Sequence, residues 1–548
     1  MSRDTPVEME AAAPLLADVL AQGLHEAGVE TVFGLPGGEN TELLDAFRRQ
    51  GIGFVLVSNE SSAVYMADVT ARLTARSGVC LTTLGPGATN AVAGVAHAYL
   101  DRAPVLVITA QTPDRLLPYH THQVVDLQAL FAPVTKKSVK LTPVRASEVL
   151  HAALKLTLQG RPGPVHLGLS NEAAGQPARQ TNPDRPDAHR SKAPPPAELA
   201  GARELWLGAN RPVIMVGLGM EPARPYDALR ALAESVDAPV ITTPKAKGSL
   251  PADHRLAAGT IGLTRTDPAY QILDEADCIL AVGFDVVELV KPWDQPAPLI
   301  WSAPWVNTDP AIPAEFDLIG PMEDVLQQLT ASASATAANW GPVRVARLKA
   351  EPAQVTARSP GPGRLLPQTV LEIVRQNTPR DSVLTTDVGS HKILWGLAWP
   401  SYVPNRYMVS NGLSCMGFGL PAAIAAGLAL PSRPTICITG DGGLAMVLGE
   451  LGLLAQLQLP VIVVVLNDGA LDLIRSAQLR AGKQKFGTEF KNPDFGQIAS
   501  AYQLDGYRVT NQVECAEAIK AAVAASRPAL IEVMIDPVSY PTTPTAVS

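Results

Sequence analysis

Two carboxylates in the last third of the chain stand where acids can do chemistry. Asp441 lies in Gly440-Asp441-Gly442-Gly443, directly after the apolar run Thr435–Thr439. Asp468 lies in Asn467-Asp468-Gly469-Ala470, directly after Val461–Leu466, with an apolar, helix-like run between the two. Strand, helix and strand in that order make a βαβ unit, whose parallel strands end on one side and bring both acids to one rim. Two acidic oxygens, a backbone carbonyl and the glycine amides at a helix start can hold a hard cation and a diphosphate together. Gly-Asp-Gly alone is a common surface turn; the reading rests on the whole pattern.

Other residues carry chemistry singly. Glu60 follows the strand-like Phe54–Val57 and precedes a helical run, Ser61–Ala71. By itself such a glutamate is a solvated helix cap. His120 and His122, two residues apart, can shuttle protons or simply belong to a polar loop. In Asp387-Val388-Gly389-Ser390-His391, Gly389 allows close backbone approach, while Ser390 and His391 can donate to phosphate oxygens.

The elements that must position these groups fall into three blocks. Short β-branched runs ending in glycine alternate with helix-length segments throughout. Examples are Thr31–Gly34 and Val105–Ile108, then Val213–Gly217 and Cys278–Gly283, then Ser382–Leu384 and Ile462–Val465. That alternation predicts an α/β fold of three doubly wound parallel sheets. Residues 174–200, rich in Pro, Ala, Arg and Asp, and 331–364, running through Ala and Ser to Ser359-Pro-Gly-Pro-Gly363, read as linkers. The expected domains are 1–182, 197–332 and 364–548. Gly217-Leu218-Gly219 lacks the third glycine of a dinucleotide fingerprint and reads as a tight strand-to-helix turn. The tail from Tyr540 to Thr545 is expected to be mobile, or to cap the site in some state.

Bulk properties set the class. A chain of 548 residues is too long for one core. Hydrophobic content of 47% against 18% charged residues fits a buried globular protein. A net charge of −8 without a long basic run argues against nucleic acid as partner. The five cysteines lack paired spacing, so neither a zinc site nor a disulfide framework follows. The polar start has no signal-peptide core, and no apolar run reaches membrane-spanning length. A cytoplasmic protein with no membrane partner is expected.

The order of motifs covers most of the chain. It runs Phe33-Gly-Leu-Pro36-Gly-Gly38, Gly85-Pro-Gly-Ala-Thr-Asn90, Gly163-Pro-Val-His-Leu167, Gly412-Leu-Ser-Cys-Met-Gly-Phe-Gly419, then the Gly440–Ala470 segment. This resembles the thiamine-diphosphate enzymes of the acetolactate synthase, pyruvate oxidase and 2-oxo acid decarboxylase branch, and most of all acetolactate synthases. The resemblance spans about residues 13 to 535, densest in the first and third blocks. It implies a pyrimidine-binding domain, a middle domain and a diphosphate domain, with thiamine diphosphate and Mg²⁺ as cofactors. By it, Asp441 and Asp468 bind Mg²⁺ through side chains and Ala470 through its carbonyl. Asp468 stands where Asn is usual, although some acetolactate-forming members carry Asp. Glu60 is the acid that engages the pyrimidine ring, with Asn59 in place of the usual His. Met416 is the apolar wedge under the bent cofactor, and the Ser414 carbonyl faces its amino group. Pro36, Gly389, Ser390, His391, Gly442 and Gly443 complete the cofactor contacts.

The same resemblance implies a 2-oxo acid as substrate and a homodimer or homotetramer with sites between subunits. Gln123 matches a family glutamine near the reacting atoms, whereas His122 stands where acetolactate synthases commonly have Phe. The aromatic substrate-reading segment is replaced by Leu471-Asp472-Leu473-Ile474-Arg475. The middle block reads Gly283-Phe284-Asp285-Val286-Val287-Glu288 in place of the acidic signature linked with FAD, so FAD is not expected. Three readings stay open: an acetolactate synthase-like carboligase, a simple 2-oxo acid decarboxylase of the benzoylformate or indolepyruvate kind, and an idle regulatory or binding paralogue. Gln123 favours the first, and the two histidines favour the second. The retained Glu60, Asp441 and Asp468 weigh against the third.

Overall fold

A computed structural model describes residues 13–179, 193–330, 339–351 and 359–540. Within them lie three six-stranded sheets in which every neighbouring pair of strands is parallel. The first contains β1 (Thr31–Leu35), β2 (Gly53–Leu56), β3 (Gly78–Thr82), β4 (Val105–Ala110), β5 (Lys137–Lys140) and β6 (Val165–Leu169), in the order 2-1-3-4-6-5. The second contains β7 (Pro212–Val216), β8 (Val240–Thr242), β9 (Ala257–Thr260), β10 (Cys278–Val282), β11 (Leu299–Ala303) and β12 (Phe316–Ile319), in the order 12-11-10-7-8-9. The third contains β13 (Val383–Thr386), β14 (Tyr407–Val409), β15 (Thr435–Gly440), β16 (Val461–Asn467), β17 (Asp505–Val509) and β18 (Ala529–Met534), in the order 14-13-15-16-18-17.

Composition explains the positions of the strands. The central β3, β4 and β6 are apolar and buried along their whole length, as strands covered on both faces must be. The edge strand β5, Lys-Ser-Val-Lys, carries charges that keep an open edge from pairing elsewhere. The first and third sheets share one topology, and in both the chain reverses direction across the sheet between the first and third strands. Such reversal points open a crevice at the carboxyl ends of the strands, where ligands settle. The turns there are Pro36–Gly38 and Thr83–Gly85 in the first sheet, and Asp387–Gly389 and Gly440–Asp441 in the third.

The helix Glu60–Thr74 is buried over most of its surface. It packs on the helix Pro86–Leu100 and also on Gly419–Ala429 of the third sheet's unit. Gly94 permits the first of these approaches, since a Cβ there would lie 2.7 Å from Val64 Cβ. One apolar cluster therefore joins Phe33, Val64 and Phe131 to Phe418, Ile424 and Val463.

One expectation needs correction. Residues 340–350, read as linker, form the helix Trp340–Ala350 on the middle sheet's unit. Gly341 lets it close on the Asp237 carbonyl, and Arg344 pairs with Glu275 at 2.9 Å. Asp441 opens the helix Asp441–Met446 directly after β15. The run after it divides into that helix, a 3-10 turn and Leu451–Leu457. The tail beyond Tyr540 lies outside the described residues; Tyr540 itself packs against the third core.

Candidate active site

At the third sheet's reversal point the chain builds a polar cradle. Asp441 Oδ1 accepts from its neighbour Gly442 N at 2.8 Å. Its Oδ2 accepts from Gly469 N and from Asn492 Nδ2, both at 2.7 Å. The same Asn492 amide reaches Asn467 Oδ1 at 2.9 Å, so one side chain ties the ends of β15 and β16 together. Asp468 Oδ2 accepts from Arg475 Nη2 at 2.8 Å, and Arg475 also holds Asp472 at 2.8 Å. Burial raises the pKa of both acids; Asp468 reaches about 7, with the charge of Asp441 adding to the burial.

Gly389, Ser390 and His391 open the helix Ser390–Ala398 beside them. Ser390 Oγ donates to Asp472 at 2.6 Å. His391 is buried, and burial pushes its pKa down to about 4, which keeps the ring neutral. Its Nε2 has no hydrogen-bond partner among the described residues. The ring borders Gly389 and Gly440, where Cβ atoms would stand 2.9 and 3.2 Å from its Cε1.

Beneath the cradle lies Asp387, fully buried. It accepts from Val388 N at 2.8 Å, from Gly417 N at 2.9 Å and from Thr439 Oγ1 at 3.2 Å. Burial raises its pKa to about 6. Gly443 must be glycine, because a Cβ there would stand 2.4 Å from Asp387 Oδ2. Gly442 faces an apolar wall of Leu471, Phe490 and Met416, the last 3.7 Å from its would-be Cβ. Ser414 has φ of 56°, in the left-handed region. Its hydroxyl donates to Asn411 O at 3.0 Å and accepts from Lys392 Nζ at 2.9 Å. Burial lowers the Lys392 pKa to about 8.

The second group of candidates gathers at the first sheet's reversal point. Glu60 is the first residue of its helix and only 4% exposed. Asn90 Nδ2 donates to its Oε2 at 3.2 Å, and Gly87 lies against Oε1. Gly37, next to Pro36, meets Thr83, and Thr83 in turn meets Gly87. Gln123 folds over Gly85, whose Cβ would lie 2.7 Å from the Gln123 carbonyl oxygen. Pro36, Glu60 and Gln123 thus share one rim. His120 and His122 lie on the exposed loop beside Gln123, ring centroids 6.4 Å apart.

Asn492, Asp387 and Lys392 were not singled out from the sequence. Asp387 stood in a quoted motif, but nothing marked it as the buried anchor. Asn492 comes from a segment that folds back beside Gly469–Leu471 through Phe490 N to Gly469 O at 3.0 Å and Leu471 N to Thr488 O at 2.8 Å, and no motif flags it.

The donor set suits a hard cation. Among the described residues no group of three His, Cys, Asp or Glu side chains is placed to hold a metal. The groups that could hold a cation here are the Asp441 and Asp468 carboxylates and the Ala470 carbonyl, a set that phosphate oxygens and water would have to complete. The orphaned His391 Nε2 and the helix start at Gly389 are suited to the diphosphate itself. The middle sheet's reversal point differs. Gly219 N donates to Gly283 O at 2.7 Å, Leu218 N donates to Glu288 Oε2 at 2.8 Å, and Trp305 presses on Gly219. That crevice is filled from within the chain. Among the described residues no helix is long and apolar enough to cross a membrane.

Comparison with known proteins agrees across all three units. Residues 15–130 match the N-terminal TPP binding domain of thiamine pyrophosphate enzymes, 199–329 their central domain and 387–533 their C-terminal TPP binding domain. The probable acetolactate synthase large subunit of Methanocaldococcus jannaschii is 30% identical, covering 95% of this chain and 92% of that protein. The acetolactate synthase isozyme 3 large subunit of Escherichia coli is 31% identical over 95% and 94%, and the large subunit of Lactococcus lactis 30% identical over 95% and 92%. With a polar cradle at the third sheet's reversal point and a buried acid at the first, the chain belongs to the thiamine pyrophosphate-dependent enzymes of acetolactate synthase type.

Proposed function

We propose that the protein decarboxylates a 2-oxo acid and joins the remaining acyl group to a second 2-oxo acid, as an acetolactate synthase does, using thiamine diphosphate and Mg²⁺. The observation that carries this is the cradle itself: Asp441 and Asp468 on one rim with the unpaired His391 Nε2 beside them. When bound, the cofactor supplies a nucleophilic ring carbon able to take up the charge that a departing carboxylate leaves.

The chain's residues then divide the work. Asp441, Asp468 and the Ala470 carbonyl hold Mg²⁺. Ser390, His391 and the amides at Gly389, Gly442 and Gly443 hold the diphosphate. Met416 supports the bend between the rings, and the Ser414 carbonyl orients the ring amino group. Glu60 holds and releases the proton at the pyrimidine nitrogen. Its burial beside Asn90 and Gly87 gives the low-polarity setting that such an exchange requires. Gln123 and Pro36 border the reacting end, with His120 and His122 on the loop that leads to it. The filled crevice of the middle domain supports a reading without FAD, since Glu288 and Trp305 occupy the turn that a nucleotide would use.

Helix geometry supports a homo-oligomer. Asp101, which ends the Pro86–Leu100 helix, holds Asn411 N and Gly412 N of the loop leading to Ser414 and Met416. Glu60 stands by Gly87 at the other end, about 20 Å away at 1.5 Å per residue. Within one chain the Asp101 contact to the loop before the wedge and the acid are at opposite ends of a helix, a separation that supports a site completed by the Glu60 of a second chain.

Incubating purified protein, Mg²⁺ and thiamine diphosphate with pyruvate, 2-oxobutyrate and an aromatic 2-oxo acid tests the reading. Acetohydroxyacid products are expected from the aliphatic substrates. Aldehyde alone, or no turnover, overturns it.

A further inference from the structure

A cavity of about 360 Å³ lies between the middle and C-terminal domains, away from both reversal points. Its walls are mostly aliphatic, with Val240, Leu250 and Leu348 on one side and Leu397, Trp399 and Pro400 on the other. Thr242, Thr260, Lys247 and Ser401 break that surface. Lys247 is 8% exposed, and its ammonium donates to Gly396 O at 2.8 Å and to Thr260 Oγ1 at 3.2 Å. An ammonium has three donors, so one remains. Ser401 is 5% exposed, and its hydroxyl has no partner among the described residues. Lys349 stands at the margin, exposed, donating to the Ala252 and His254 carbonyls. No acidic side chain lines the cavity, and Lys247 makes no ion pair among the described residues.

A buried cation ordinarily has a counter-charge, because its desolvation is otherwise uncompensated. Burial lowers the Lys247 pKa to about 7, and its Nζ lies 5.7 Å from the centre of the Tyr407 ring. The chain therefore provides an amine that a bound anion would keep protonated, an unused hydroxyl and an apolar chamber, but no anion. We propose that the cavity binds a small aliphatic monocarboxylate, with its carboxylate on Lys247 and Ser401 and its hydrocarbon part against the leucine and tryptophan wall. One buried lysine calls for one negative charge, and the aliphatic lining disfavours polyphosphates. The site lies one helix away from the catalytic cradle. Residues 397–401 close the Ser390–Ala398 helix and border the cavity, while Ser390 and His391 open the same helix about 13 Å away. The proposal concerns binding alone and stands apart from the reaction assigned above.

Calorimetric titration of the holoenzyme, loaded with thiamine diphosphate and Mg²⁺, tests it. Isovalerate carries both charge and chain, 3-methylbutan-1-ol the chain alone and acetate the charge alone. Saturable binding of one isovalerate per chain is expected, tighter than either control by about tenfold or more. Lys247→Met should weaken isovalerate at least about tenfold while leaving the alcohol unchanged, and Lys247→Arg should restore part of the loss. Ser401→Ala, which removes only the hydroxyl, should weaken it by a smaller factor in a chain that folds normally, which guards against a misfolded lysine variant. Isovalerate binding no tighter than the alcohol, binding unaffected by both Lys247→Met and Ser401→Ala, or displacement by pyruvate in competition would each overturn the assignment.

Discussion

Replacing Asp101 by Asn removes the carboxylate on which all three domains converge. Asp101 belongs to the first domain and is buried. Its Oδ1 accepts from Asn411 N at 3.1 Å and Gly412 N at 3.2 Å in the third domain. The ammonium of Lys245, from the middle domain, pairs with it. His97 Nδ1 lies 2.9 Å from Oδ2, while His97 Nε2 meets Asp68, which in turn holds Arg72 at 2.6 Å. Asn keeps the shape and opens no cavity, so the change isolates the charge. Breaking a buried pair from one side costs about 3–5 kcal/mol, because Lys245 is left desolvated without its partner. That is a large part of the roughly 5–15 kcal/mol by which a folded domain survives. Urea unfolding followed by circular dichroism should show the loss, and Asp101→Asn combined with Lys245→Met should recover much of it. A single variant within about 1 kcal/mol of wild type, or a double variant no more stable than the single, would refute the reasoning. The network also has a pH signature. Burial alone would lower the His97 pKa, but Asp101 and Asp68 outweigh it and raise it above the ordinary 6.5. A folded value above the unfolded one gives stability that is complete below pH 6.5 and is lost as pH rises through the folded value. The advantage of wild type over His97→Gln should therefore shrink as the solution becomes alkaline.

Glu60→Gln should retain thiamine diphosphate, measured by fluorescence quenching, yet lose turnover; an unchanged rate removes Glu60 from the mechanism. Asp468→Ala should weaken Mg²⁺-dependent cofactor binding by about tenfold or more, and unaltered affinity contradicts its place among the ligands. Gly443→Ala should destabilise the fold by about 1–3 kcal/mol, since the new methyl meets a carboxylate pinned by three donors. A neutral result in thermal melts would mean that Asp387 is not held beneath the turn as described.

Periodicity and punctuation made the α/β class legible, because buried parallel strands such as β4 and β16 are uninterrupted apolar runs. Strands without that signal escaped. β17 reads Asp-Gly-Tyr-Arg-Val with alternating exposure, and β18 carries Glu532 in its middle. That glutamate is buried only because Asn467 Nδ2 and Phe495 N donate to it, at 2.6 and 3.1 Å. The site divided in the same way. Asp441, Asp468 and Glu60 follow strands directly, so chain order alone puts them on a rim. Asn492 and Lys392 owe their places to tertiary folding, for which one sequence holds no local mark. The helix at 340–350 was hidden by its Ala- and Ser-rich surroundings, which resemble a tether until Gly341 and Arg344 are seen docking it.

The three sheets present three reversal points, and what fills each one separates their roles. In the first domain the turns enclose Glu60, with Asn90 steadying its carboxylate. In the third they enclose Asp441, Asp468 and an imidazole nitrogen that no protein group satisfies. In the middle domain the two turns touch, and the chain's own Glu288 takes the Leu218 amide that opens the turn. Burial raises the Glu288 pKa to about 8, so this acid is held near neutrality where a ligand's phosphate would carry full charge. A fold that opens the same kind of crevice three times has therefore lined two with acids and closed the third with its own side chains. That leaves the middle domain as the clamp that orders the other two, through Lys245 on Asp101 and Lys247 on Gly396.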